Sequence, residues 1–104
     1  MHVAAMTGSS APNGKSAWRA TVTTTIRDAN NAPIANATVS GSWSNGATGT
    51  ASCLTASNGT CTVTSPKLGN NVKSVTFTLD SVTHATATYD ASANTASTVV
   101  TVNK

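Results

Sequence analysis

An all-β fold, a two-sheet sandwich of about eight short antiparallel strands, is predicted by three observations. Thr and Val recur throughout the 104 residues, and β-branched side chains suit a pleated, half-buried surface. Several segments alternate between apolar and polar residues, the period of a strand with one wet face. Clusters of Gly, Asn, Pro and Ser break those segments at regular intervals, as turns between strands do. A chain of this length makes one domain, residues 1–104, with a single thin core.

The elements follow in order. An entry strand is expected near His2 to Met6, followed by a polar connection, "TGSSAPNGK". From Ser16 to Arg27 the even positions Trp18, Ala20, Val22, Thr24 and Ile26 form the drier face, and the odd positions, among them Arg19 and Arg27, the wet one. "DANNAP" supplies turn residues. Ile34 to Ser44 is expected to be a strand with Val39, Gly41 and Trp43 on one face. A strand near Thr50 to Leu54 then leads through "SNGT" to one in which Cys61 and Val63 face inward. After the loop "SPKLGNN", strands are expected around Val75 to Leu79, from Val82 to Tyr89 and from Thr95 to Asn103.

Composition removes several functions. Charged residues make up 9% of the chain and the only acids are three aspartates, so chemistry by paired carboxylates has almost nothing to draw on. The net charge of +3 is carried by scattered lysines and arginines rather than by a basic patch with stacking aromatics, which speaks against nucleic acid as a partner. No apolar run approaches the roughly 20 residues that span a bilayer. "MHVAAM" has neither the basic start nor the apolar stretch of a signal peptide.

Cys53 and Cys61 flank "LTASNGT". If "SNGT" turns a hairpin, its strands bring the two side chains to cross-strand distance, where a disulfide closes. Free thiols and a metal site are the alternatives, the latter needing His2 and His84 to converge on the hairpin. A disulfide implies an oxidising compartment, and hence a secreted or surface-displayed protein. Parity turns Trp18 and Trp43 toward the core, where each aromatic contributes about 2 to 3 kcal/mol. The competing reading makes Trp18, Trp43 and Tyr89 stacking contacts for a ligand, with Arg19 and Arg27 adding hydrogen bonds.

The segments "TVTTTIRDANNAPIANATVSGSWS", "CLTASNGTCTV" and "VTFTLDSVTHATATYD" resemble a family of bacterial immunoglobulin-like accessory domains. These sit in secreted multidomain proteins, often C-terminal to a protease or other hydrolase, and look like the wider group of bacterial Ig-like and invasin-type repeats. The resemblance implies an immunoglobulin-like β-sandwich, export, and a Cys53 to Cys61 bridge. Relatives carry an acidic "D-x-D-G-S-S" after the opening and a second Asp-rich stretch before the last strand, suited to calcium. This chain has "AAMTGSS" and "DASANTASTVV" there, so no metal or other cofactor is expected.

A nucleophile needs a base and an orienting group, and no such set is evident, so no enzyme is expected. His84 is read as an exposed strand residue. Lys73 shares the inward parity of Val75 and Phe77, the one lysine placed for an intramolecular isopeptide bond, although a strand-end lysine also snorkels outward. The sequons at Asn36 and Asn58 are read as incidental. The leading expectation is a non-catalytic accessory module that spaces, stabilises or displays neighbouring domains of one exported protein. The rival is a binding module for polysaccharide or a fibrous protein. A third reading takes "TVT", "TCTVT" and "TFT" as an ice-binding threonine array, which irregular spacing and sheet twist disfavour.

Overall fold

A computed structural model of the chain describes residues 1–12, 14 and 16–104. Among these described residues, eight strands cover His2–Pro12 (β1), Ala17–Arg27 (β2), Thr38–Ser44 (β3), Thr50–Leu54 (β4), Thr60–Thr64 (β5), Leu68–Gly69 (β6), Ser74–Thr83 (β7) and Val99–Asn103 (β8). They form two antiparallel sheets, a first in which β2 lies between β1 on one side and β5 and β6 on the other, and a second ordered β4-β3-β7-β8. The sandwich is elongated, 44 × 23 × 19 Å.

β2 shows why the alternation reads correctly. Its even positions Trp18, Ala20, Val22, Thr24 and Ile26 are all buried, and its odd positions from Arg19 to Arg27 face outward. Two apolar clusters fill the space between the sheets. One contains Trp18, Val22, Trp43, Leu68, Phe77 and Val102, and the other Val3, Ile26, Val39, Leu79 and Val82. Trp43 and Phe77 face each other across β3 and β7 with ring centroids 4.8 Å apart and a 56° tilt, a pairing worth about 0.5 to 1.5 kcal/mol beyond area burial.

Several expectations are corrected. β1 continues through Pro12, so most of the supposed connection is strand; Asn13 and Lys15, which complete it, lie outside the described residues. Thr7 to Pro12 carry no apolar alternation, but β2 needs a partner along its whole length, and the register from His2 opposite Arg27 to Pro12 opposite Trp18 supplies one. β3 starts at Thr38 rather than Ile34 because Asn36 is left-handed, with φ 62°. Ile34 to Ala37 is held instead by buried Thr55, whose Oγ1 accepts from the Ala37 N–H at 2.9 Å and donates to the Ile34 carbonyl at 2.7 Å.

The strands expected at Val75 to Leu79 and Val82 to Tyr89 are one strand, β7, ending at Thr83. Ser40 pairs with Ser81 and Gly41 with Leu79, so Asp80 is the extra residue of a bulge and not a turn. Ala85 to Tyr89 form no strand, and β8 begins at Val99 rather than Thr95, after a single 3-10 turn at Ala91–Ala93.

Gly41 lies where β3 meets the Phe77 ring. A Cβ there would come within 2.4 Å of both Phe77 Cζ and the Thr78 carbonyl oxygen. Gly41→Ala is therefore expected to lower stability by about 1 to 3 kcal/mol through overpacking, visible as a lower urea midpoint with an unchanged slope.

Candidate functional site

The cysteines do not form a cross-strand pair in a hairpin. β4 belongs to the second sheet and β5 to the first, so the chain arches from one sheet to the other and the Cys53–Cys61 disulfide crosses the sandwich, with Cα atoms 5.8 Å apart. The arch is closed locally by the Ala56 N–H donating to the Thr60 carbonyl at 2.9 Å and by Asn58 Oδ1, which accepts from the Thr60 hydroxyl at 2.7 Å. "SNGT" is thus a turn, as its residues suggest, but alternation alone does not say which sheet the next strand joins. The opposite lateral seam closes differently. Gly8 of β1 lies against Val100 and Val102 of β8, and a Cβ would stand 2.5 Å from Val102 Cγ2.

Trp18 and Trp43 are 2% and 5% exposed, and the Trp18 indole donates to the Val72 carbonyl at 2.9 Å. Both rings are therefore almost wholly enclosed between the sheets, which leaves little of either for stacking against a ligand. Tyr89 is half-buried, and its hydroxyl accepts from Asn94 Nδ2 at 2.8 Å. Arg19 is exposed on the outer face of the first sheet and donates to the Ser65 carbonyl at 3.1 Å. Arg27, at the far end of that strand, has its Nε enclosed without a hydrogen-bond partner. Arg19 and Arg27 thus share the outer face of the first sheet at opposite ends of β2, and neither indole nor Tyr89 joins them there.

His84 is corrected from an exposed strand residue to the centre of a turn. Its Nδ1 accepts from the N–H groups of Thr86 and Ala87, both at 3.1 Å. That leaves the proton on Nε2, which donates to the Ala35 carbonyl at 3.0 Å. "HATA" holds none of the residues that mark a turn, and its accidental alternation reads as strand. Lys73 is exposed and donates to the Asn70 carbonyl at 3.1 Å. Among the described residues, no three of His, Cys, Asp or Glu gather as metal ligands.

An open groove of about 350 Å³ at the β1–β2 end is bordered by Ser10, Pro12, Ala17, Trp18, Asn70 and Lys104, and the described residues bring no convergent set of acids, bases or nucleophiles to it. No helix is long and apolar enough to cross a membrane among the described residues. Comparison with protein-family models, curated proteins and solved structures finds no match for this chain.

Two predictions follow from the bonded groups. Replacing both cysteines with Ser is expected to lower stability by about 2 to 3 kcal/mol, measured by urea unfolding. Asp90 caps the 3-10 turn, and the Ser92 hydroxyl donating to its Oδ1 at 2.6 Å holds its carboxyl below the usual carboxylate range. A depressed folded value means that the cap stabilises above the unfolded carboxylate value, about 3.9, and is lost as pH falls through the folded one. NMR titration is expected to move the Asp90 midpoint upward in Ser92→Ala.

Proposed function

We propose that this chain is an immunoglobulin-like, non-catalytic accessory module of an exported bacterial protein, spacing, stabilising or displaying the domains beside it. The observation that carries the reading is that the side chains best suited to chemistry are already engaged in holding the fold. The cysteines bridge the sheets, His84 braces a turn through Nδ1 and ties it to Ala35 through Nε2, the Tyr89 hydroxyl receives Asn94, and Asp28 Oδ1 accepts from the N–H groups of Asn30 and Ala32.

Strand order supports the immunoglobulin-like part. In that topology the second strand lies between the first and the fifth in chain order, and the facing sheet joins the third to the last two. Here β2 lies between β1 and β5, and β3 joins β7 and β8, with β4 as an added edge. Trp43 on β3 occupies the strand that carries the buried tryptophan of antibody domains. The disulfide differs, joining β4 to β5. A bridge of this kind supports export, because it persists in oxidising surroundings.

The polysaccharide or fibrous-protein reading loses its main support with both indoles buried. A depletion assay separates the two. The oxidised chain is expected to remain unbound with insoluble cellulose, chitin, xylan, peptidoglycan and collagen, and to outlast the Cys-to-Ser double variant under protease. Retention on one polymer that Arg19→Ala or Tyr89→Ala abolishes, in a variant that still folds, overturns the accessory reading.

A further inference from the structure

Three strands of the first sheet bring the chain's scattered threonines into one lattice. Across β1, β2 and β5 the registers align Thr7, Thr23 and Thr62 in one row. The row on one side is Ser9, Thr21 and Thr64, and the row on the other is Ala5, Thr25 and Thr60. All nine lie on the outward parity, opposite buried Val22, Thr24 and Val63, and each is exposed or half-exposed. Neighbouring strands stand about 4.8 Å apart and same-face residues about 6.7 Å apart along a strand, so the face repeats in two dimensions. The hydroxyls of Thr23 and Thr62 lie 3.3 Å apart, which places facing side chains in register. The irregular sequence spacing hides this order, because it arises from pairing between distant segments.

The chemistry of the face is as uniform as its spacing. None of the nine is charged, aromatic or longer than threonine, whereas solvent faces of sheets commonly carry lysine and other charged side chains. Charged groups hold hydration shells of their own, and on this face they stand only at the two ends of β2, Arg19 and Arg27, outside the nine positions, whose first water layer is left to hydroxyls and methyls. The second sheet's outer face also carries hydroxyl rows, Thr50, Ser42 and Thr78 in one and Ser44, Thr76 and Thr101 in another, but it adds Leu54 and Val99, 59% and 48% exposed, and its register breaks between those rows and Ser40 at the Asp80 bulge.

We propose that the outer face of the first sheet is an ice-binding surface, its threonine lattice engaging the ordered water of a crystal plane. Neutrality suits a neutral lattice. Threonine hydroxyls both donate and accept, as lattice water does, and the methyls exclude mobile water between them. A crystalline polysaccharide fits less well, since recognition of sugar faces draws on exposed aromatic rings, and this face has none. The proposal is independent of the accessory reading above.

The test is partition of the oxidised chain into a slowly growing ice front, compared with Thr23→Lys, which puts a charge at the centre of the lattice, and Ser52→Lys on the second sheet's outer face. Tryptophan emission and urea unfolding establish that each variant is folded, and Thr23→Val serves as a smaller, uncharged second change should the lysine variant misfold. The expected result is incorporation of the parent chain and of Ser52→Lys, with loss in Thr23→Lys and weakening in Thr23→Val. Exclusion of the parent chain from ice overturns the proposal. So does incorporation that the Thr23 variants leave unchanged, or binding to crystalline cellulose without binding to ice.

Discussion

The structure depends on filling the gap between two sheets from a chain with two Trp, one Phe and one Tyr. Trp18 and Trp43 lie in one cluster with Phe77, each at most 5% exposed, while the second cluster rests on Val3, Ile26, Val39 and Leu79. The tightest approaches fall around the same cluster, where Gly41 meets Phe77 within the second sheet and Gly8 meets Val102 across the seam between the sheets, positions at which a single Cβ has no room.

The disulfide belongs to the same constraint. β4 and β5 are edge strands of opposite sheets, each five residues long, and neither brings much apolar area to the seam between them. A covalent link there holds the sheets at a fixed separation where packing is thin. With both indoles and the disulfide turned inward, the outer faces carry mainly small hydroxyl side chains, with Arg19 on the first sheet and Leu54 and Val99 on the second.

Much of this was legible in the sequence, and unevenly so. The alternation of Trp18 to Ile26 is long and strict, so β2 and its inward face follow from parity alone. Thr50 to Leu54 is bounded by turns and is found with those bounds. Parity fails where pairing decides the outcome. Thr7 to Pro12 have no apolar rhythm and become a strand because β2 runs beside them. "HATATY" has the rhythm but no ladder to join, and His84 folds it into a turn. Cys53 and Cys61 identify each other, yet nothing local says that the chain changes sheets between them. The threonine lattice was legible least of all, since it exists only after β1, β2 and β5 are laid side by side.

The most direct test of the account is acrylamide quenching of tryptophan fluorescence in the oxidised protein. With both indoles enclosed between the sheets, emission is expected to be blue-shifted and nearly unquenched until the chain unfolds. Red-shifted emission with strong quenching under native conditions would place at least one indole at the surface, and would contradict a core built on Trp18 and Trp43.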